Sequence, residues 1–336
     1  MRILSEADVD HLIDLDRSIE CAETAYAQQA LGPGRSKGRL DLRRTSPRIG
    51  ALVVAGFGQH DRLLVVKTNA HAWPLPQGMR ITRSLLVLWD TLEAKPIALF
   101  SAALFNDHRT AAGFAAAAKV LAKAKASTLV VFGAGKLAVP SLTYLCAVRP
   151  IDRVIIVGRD FSRACRVAAQ AQQHSNLRHV NVSAMEDAGD AAAQADIIVS
   201  VTTSDVPVFP GSAVRDGTLV ILGGANRPNA READDELIRR AVVYTDHTVG
   251  ALDQAGDLVI PIAEGVINET AIAGEIGSLI GKSPLTPGAP GVFVFKSIGI
   301  ALQDLVLAQA LLTKAELHGL GITFDLDGTK DPVNIA

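Results

Sequence analysis

Residues 127–160 constrain this chain more than any other stretch. STLVVFGAGKLAVPSLTYLCAVRPIDRVIIVGRD reads as an apolar β-branched run, a glycine turn, a helix-like segment and a second apolar run. This pattern predicts a buried parallel strand over 128–132, a helix over 137–148 and another strand over 154–157. Gly133-Ala134-Gly135-Lys136-Leu137-Ala138 fits the dinucleotide-binding fingerprint, with Ala in its last small position. Gly133 permits the tight turn, Gly135 lets a pyrophosphate approach the backbone, and Ala138 lets the helix pack closely on the strand. The helix N-terminus adds free N–H groups and a positive dipole end. A glycine turn that binds nothing is the bland alternative; the placement between two strands argues against it.

The chain has 336 residues, enough for two domains. With 49% hydrophobic and 20% charged residues, it is expected to fold over most of its length. A net charge of −2 and the absence of a basic patch interleaved with aromatics exclude a nucleic-acid footprint, leaving a small molecule as the expected partner. The N-terminus lacks an apolar h-region, and no stretch reads as a membrane span. Cys21, Cys146 and Cys165 are odd in number and scattered, which suits a reducing compartment and a cytoplasmic location. The histidines show no metal-ligand spacing, so no metal site is expected.

From the N-terminus, Ser5 is expected to cap a helix through Ile13 and Asp16 a second one, which Gly32-Pro33-Gly34 ends. Extended segments at 49–55, 62–68, 84–90 and 96–102 predict a separate mixed or antiparallel sheet. Asn106 or Asp107 would cap an Ala-rich helix over 108–124 that leads into the nucleotide unit. Beyond residue 160, α/β alternation continues: a helix over 160–172, a strand over 179–182, a capping box from Ser183 to Glu186, and strands over 196–201, 218–222 and 242–245. Six strands with intervening helices suggest the doubly wound Rossmann fold. A further apolar run at 292–295 precedes a helix over 297–318, and the tail from residue 323 is expected to fray.

The end of the second nucleotide-unit strand bears on cofactor choice. NAD-preferring folds place an acid there to hold the ribose hydroxyls. Here Gly158 takes that place, and Arg159 could face a 2′-phosphate, so NADP(H) is expected over NAD(H). Asp160 is read as the cap of the following helix.

Several separated segments, in order, resemble the ornithine cyclodeaminase/μ-crystallin family: Arg109-Thr110-Ala111-Ala112, Gly133-Ala134-Gly135, Thr202-Thr203-Ser204 with Pro207-Val208, and Phe295-Lys296-Ser297-Ile298-Gly299-Ile300-Ala301 with Asp304. The opening MRILSEADV and closing Gly319-Leu320-Gly321 also look like the family's two ends. The resemblance implies a homodimer with a discontinuous α+β substrate and dimerisation domain, residues 1–112 and 300–336, and a Rossmann domain, residues 113–299. It implies chemistry on amino and imino acids with nicotinamide cofactors: reduction of α-imino acids, cyclodeamination on a retained cofactor, or binding without turnover.

An imino acid carries a carboxylate, which needs cations aimed at it. By resemblance the candidates are Arg44, Lys67 and Arg109. Arg43 competes with Arg44 in the cluster that also holds Arg48. Lys67 closes an apolar strand and could equally be a solvated strand end. Arg109 could be a surface arginine on an Ala-rich helix. The resemblance assigns Thr110, Gly133, Ala134, Gly135, Lys136, Leu137, Thr202, Thr203, Ser204, Lys296, Ser297 and Gly299 to the cofactor, beside Arg159. Cyclodeaminases carry an aspartate six residues before a glutamate; here Glu232 holds the glutamate position and Asn226 the other. A carboxylate there could exchange a proton, whereas an amide only orients a partner, which favours imine reduction with Lys67 and Asn226 as the catalytic candidates. Asn226 as a plain loop asparagine is the competing account. His71, Trp73 and Leu75 are candidate pocket walls or core.

Overall fold

The computed structural model describes residues 1–32, 36–44, 49–58, 62–72, 81–282, 291–326 and 328. In chain order the elements are β1 (Arg2–Leu4), α1 (Glu6–Leu12), α2 (Leu15–Ala30), β2 (Ser36–Arg44), β3 (Ile49–Phe57), β4 (Leu63–Ala72), β5 (Ile81–Asp90), β6 (Lys95–Ser101) and α3 (Ala103–Leu121). Then come β7 (Thr128–Phe132), α4 (Ala138–Val148), β8 (Arg153–Val157), α5 (Phe161–Gln172), β9 (Asn181–Met185), α6 (Ala188–Gln194), β10 (Ile197–Ser200) and β11 (Leu219–Leu222). The rest are α7 (Asp235–Arg240), β12 (Ala241–Thr245), α8 (Thr248–Gln254), α9 (Gly256–Ala263), β13 (Ile272–Glu275), β14 (Val292–Lys296), α10 (Ala301–His318) and β15 (Ile322–Thr323).

The chain divides into two units, Met1–Cys21, Gly32–Arg109 and Ala301–Ala336 in one, Ala22–Leu31 and Thr110–Ile300 in the other. The first holds a seven-stranded sheet of order β15-β1-β6-β5-β4-β3-β2. Strands β2 to β6 form an antiparallel meander, β1 joins β6 in parallel, and β15 pairs antiparallel with β1. On its covered face Val54, Lys67, Leu86 and Phe100 stand in one cross-strand row, with α10 packed over β3, β4 and β5. Leu305, Ala308 and Leu312 of α10 join Val54, Val65 and Leu86 in the core. Lys67 is therefore an inward residue in mid-strand, not the strand end its sequence context suggested: β4 runs on to Ala72.

The second unit is the expected Rossmann sheet, wholly parallel and ordered β13-β12-β14-β11-β10-β7-β8-β9. Every residue of β10, β11 and β14 is buried, as a parallel sheet covered on both faces requires. Strand β7 pairs with both β8 and β10, so connections leave it in opposite directions at the topological switch point where this fold binds ligands.

Several local expectations change. Eight strands, not six, make the sheet: 292–295 extends to Lys296 and inserts between β11 and β12, and β13 adds a strand beside β12. The helix placed at 297–318 begins at Ala301, since Asp246 holds Ser297, Ile298 and Gly299 outside it. The Ser183–Glu186 capping box does not form: Ser183 lies in β9, and Asp187 caps α6 through the Asp190 N–H. Asp14, not Asp16, accepts from the Arg17 N–H at the start of α2. Helix α3 starts at Ala103, with Asn106 N–H already donating to Ala102, so Asn106 and Asp107 are helix residues rather than caps. Thr323 is paired in β15 instead of fraying. Within 1–112, Ala22–Leu31 groups with the nucleotide unit. There Tyr26 packs edge-on against Phe295, and Gly277 meets the Tyr26 backbone so closely that a Cβ would clash. Ser5 and Asp160 cap α1 and α5 as expected.

Candidate active site

The glycine turn between β7 and α4 has the geometry a dinucleotide requires. Gly133 has φ +113°, and a Cβ on it would lie 2.8 Å from the Val201 carbonyl oxygen, so only glycine fits. Gly135 differs: a Cβ there would meet nothing within 4 Å. The absent side chain leaves open space over the turn, which a pyrophosphate can occupy against the backbone. Ala138 is fully buried at the start of α4, as close helix-to-strand packing demands. Ala134 and Leu137 are half-buried, Lys136 is exposed, and Thr110 lies half-buried on α3. Gly158 packs back on this turn, since a Cβ on it would come 3.3 Å from that of Ala134. A large acidic side chain has little room at 158. Arg159 beside it is exposed, and among the described residues it has no carboxylate partner.

Three buried carboxylates, Glu232, Asp257 and Asp246, fix the loops at the C-terminal ends of β10, β11 and β14. Glu232, fully buried, accepts from Ser200 Oγ (2.6 Å), Thr202 N (2.8 Å), Thr202 Oγ1 (2.7 Å), Gly224 N (2.7 Å) and Ala225 N (3.0 Å). Asp257 accepts from Glu232 N and Ala233 N and pairs at 2.8 Å with Lys296 Nζ, which also donates to Ala225 O at 2.5 Å. Asp246 accepts from Ser297 Oγ, Ile298 N and Gly299 N at 2.7–2.9 Å. Such networks are stable when every member is satisfied, because an unpaired buried charge costs several kcal/mol.

These bonds separate the expected cofactor residues into two kinds. Lys296 is fully buried and its ammonium is spent on Asp257 and Ala225, so it braces the loop and offers no surface to a nucleotide. Ser297 is likewise nearly buried and held by Asp246. Gly299 has φ +80° and is anchored through its N–H. Thr202 is half-buried and bound to Glu232, Thr203 is exposed, and Ser204 turns the loop by donating to Val206 O at 2.7 Å. Asn226 stands next to Ala225, half-buried, with its amide against Ser297 O and Ala225 O.

In the first unit, Lys67 and Arg109 converge on Asp304. Lys67 Nζ lies 2.8 and 2.7 Å from the two Asp304 oxygens and 3.2 Å from Asn106 Oδ1. Arg109 donates from Nη2 to Asn106 Oδ1 at 2.7 Å and reaches Gln303 Oε1 at 3.4 Å. Its Nε is 3.2 Å from Asp304 Oδ1 but misaligned, an ion pair without a hydrogen bond. The Arg109 side chain is 12% exposed, while Lys67 and Asp304 are 2% exposed. Arg44 pairs through its backbone with Ile49; its side chain lies outside the described residues, as do Trp73 and Leu75. His71 Nδ1 is 3.0 Å from Thr82 Oγ1 on the neighbouring strand.

Sequence reasoning gives no role to Gln303, Asp246 and Asp257, and to Asn106 only that of a helix cap. A buried-charge signal existed for each aspartate, an acid inside or beside an apolar run, but the partners lie 24 to 53 residues away. Among the described residues no group of His, Cys, Asp and Glu could hold a metal ion, and no helix is long and apolar enough to cross a membrane.

Comparison with known proteins agrees with this architecture. A Δ1-pyrroline-2-carboxylate reductase of Bacillus cereus is 28% identical over 327 residues, covering 96% of this chain and 98% of the relative. A second B. cereus strain's protein of that name is 32% identical over 328 residues with the same coverage. Among solved structures, Thermococcus litoralis Δ1-pyrroline-2-carboxylate reductase in complex with NADH and L-proline superposes with a TM-score of 0.89 at 26% identity, covering 96% of this chain and 100% of that one. The family model for the ornithine cyclodeaminase/mu-crystallin family matches residues 1–318. With a match over that span, on this fold and with these loops, the chain belongs to the ornithine cyclodeaminase/mu-crystallin family.

Proposed function

We propose that this protein is an NADPH-dependent reductase of small α-imino acids, cyclic ketimines such as pyrroline carboxylates among them, and in reverse an amino-acid dehydrogenase. The observation that carries the reading is the cluster around Asp304, where two cations, Lys67 and Arg109, share one carboxylate. In this reading a substrate carboxylate joins Asp304 as a second anion for the two cations, in a nearly closed environment. Arg109, the more exposed cation, takes the carboxylate in its planar fork. Lys67 and Asn106 hold that fork in place, and Arg44 is a further candidate from β2. Orientation of this kind supplies several kcal/mol of barrier reduction.

In the nucleotide unit, Gly133 and Gly135 cradle the pyrophosphate, Thr110, Thr202, Thr203 and Ser204 line the nucleotide, and Arg159 holds the 2′-phosphate. Bound NADPH supplies the hydride. The names of the B. cereus relatives support an imine as the acceptor. The ligands of the T. litoralis structure, NADH and L-proline, support a nicotinamide cofactor and a small amino acid, with NADH the alternative to the phosphate-bearing form. Asn226 speaks against the cyclodeaminase alternative, because an amide supplies no general base. Met1–Cys21, Gly32–Arg109 and Ala301–Ala336 form the substrate-binding and dimerisation unit in this reading. Its sheet face opposite α10 carries exposed Leu40, Phe57 and Leu85, an apolar surface that a second copy of the chain would cover.

Purified protein offered NADPH or NADH with Δ1-pyrroline-2-carboxylate, Δ1-piperideine-2-carboxylate, and pyruvate with ammonia tests this directly. Oxidation of NADPH matched mole for mole by amino-acid product is the expected result. Ammonia release from ornithine without net cofactor change would identify a cyclodeaminase instead, and dinucleotide binding without turnover of any substrate would overturn the enzyme reading.

A further inference from the structure

We propose that Glu232 is a positioning residue for the nicotinamide half of the dinucleotide: its buried carboxylate sets the loops that follow β10 and β11 before any cofactor binds. This rests on the dinucleotide reading of the site above and adds the group that shapes one half of it.

The run β9-β8-β7-β10-β11-β14 within the second sheet is the strand order of a Rossmann fold with two mononucleotide-binding halves that meet at the switch point. The glycine turn and residue 159, after β7 and β8, belong to the half that takes adenosine. The loops after β10 and β11 belong to the other half.

These two loops are in contact, and Glu232 fills their junction. A Cβ on Gly224 would lie 2.3 Å from Thr202 O and 2.5 Å from Glu232 Oε1, so the approach tolerates no side chain. Glu232 Oε1 accepts from Ser200 Oγ, Thr202 N and Thr202 Oγ1, and Oε2 from Gly224 N and Ala225 N. Its main-chain oxygen accepts from Val208 N at 3.0 Å. The loop after β10 is thereby tied to Glu232 at both ends, Thr202 and Val208. Thr202 in turn stands against the glycine turn, since a Cβ on Gly133 would come 3.3 Å from Thr202 Cγ2. Its hydroxyl hydrogen goes to Glu232, while its oxygen accepts from Ser204 N at 3.1 Å.

Five donors converge on one fully buried side chain, and only an ionised carboxylate, with no hydrogen on either oxygen, suits them all. Glutamine has the same shape but one acceptor oxygen. With that oxygen in the Oε2 place, Gly224 N and Ala225 N keep their partner and both hydroxyls can reverse roles, but Thr202 N–H faces an NH2 group. With the amide turned over, Gly224 N–H and Ala225 N–H lose theirs. Either way one loop is released, while β10 and β11 stay paired through their own ladder. The charge at residue 232 therefore acts on the loops and through them on the half of the nucleotide they face.

The test is calorimetry on the full-length protein with NAD+ or NADP+, whichever wild type binds more tightly, beside its analogue without nicotinamide, ADP-ribose or 2′-phospho-ADP-ribose. Glu232→Gln should weaken the dinucleotide at least about tenfold and the analogue no more than about twofold. Val243→Ala, a core truncation on β12, should lower the melting temperature and leave both affinities unchanged, which separates lost stability from lost positioning. Equal losses for dinucleotide and analogue in Glu232→Gln, or no loss in either, overturn the inference. Wild type supplies a second measurement that needs no variant. Without nucleotide, the Thr202, Gly224 and Ala225 amides should exchange hydrogen at least about a hundredfold more slowly than in an unfolded chain, because their acceptor is the protein itself. Free exchange that slows only when dinucleotide is added would show that the cofactor orders these loops, and would overturn the inference even if Glu232→Gln does not fold. If wild type binds no dinucleotide, the reading of the site falls and this inference with it; tight wild-type binding with equal losses in the variant sinks the inference alone.

Discussion

Lys67 and Asp304 stand 237 residues apart in the chain and meet at 2.7 Å, with each side chain 2% exposed. Removing one partner of a buried ion pair leaves an uncompensated charge and costs about 3–5 kcal/mol, while replacing both with apolar residues often costs far less. Asp304→Leu and Lys67→Met are therefore each expected to lower the free energy of unfolding by about that amount. The double variant Lys67→Met/Asp304→Leu should lose less than the two single variants added together. Urea unfolding of the four proteins reads the coupling; strictly additive costs would show that the pair does not act as a unit.

Gly133 and Gly135 should separate stability from binding. A Cβ at 135 meets nothing within 4 Å, so Gly135→Val should fold with an unchanged melting temperature yet lose at least about tenfold in dinucleotide affinity by filling the phosphate's space. Gly133→Ala should fail differently, with a lowered melting temperature, because φ +113° and the Val201 carbonyl leave no room for a methyl group. Equal nucleotide affinity in wild type and Gly135→Val would remove the cradle from the proposal.

Arg159→Ala should raise the KM for NADPH much more than that for NADH, since only the former carries the 2′-phosphate that an exposed guanidinium can hold. Parallel changes in both would contradict the cofactor preference.

The three thiols should differ in reactivity. Burial pushes the Cys146 thiol up to about 12 and raises Cys21 as well, and only the thiolate reacts. Cys165 is exposed on α5. At about pH 8, a thiol reagent should label one cysteine of the native protein quickly, and Cys165→Ser should abolish that phase. Rapid labelling of Cys146 in the folded state would refute the assignment.

Leu85 lies on the face of the first unit's sheet opposite α10 at 51% exposure, the same face as exposed Leu40 and Phe57. If a second copy covers that face, Leu85→Glu should convert a dimer to monomer in light scattering while leaving far-ultraviolet circular dichroism unchanged. A dimer that survives Leu85→Glu and Phe57→Glu together would place the interface elsewhere.

The order of elements from residue 127 to residue 245 is legible without a structure, because each strand is a short apolar run between turn residues and each helix follows at crossover spacing. The glycine turn is equally local: its conformation is a property of Gly133 and its neighbours. Strand β14 shows the limit. Its apolar pattern marks it as buried, but nothing in five residues says that it will insert between β11 and β12. Sheet order is set by which faces can be buried together, a property of the whole unit.

The candidate site divides along the same line. Residue types at 67, 109 and 226 already state which chemistry is available: two cations for a carboxylate, and an amide where a proton shuttle would need an acid. Only the tertiary structure decided what each group has left to offer. Lys296 looks like a nucleotide contact in the sequence and is consumed by Asp257; Asn226 looks like a loop residue and is oriented by Ser297 and Ala225. Charge and hydrogen-bonding capacity belong to the residue, so sequence carries them. Whether they are spent or free depends on partners brought close by folding, at separations of up to 237 residues, which local patterns do not encode.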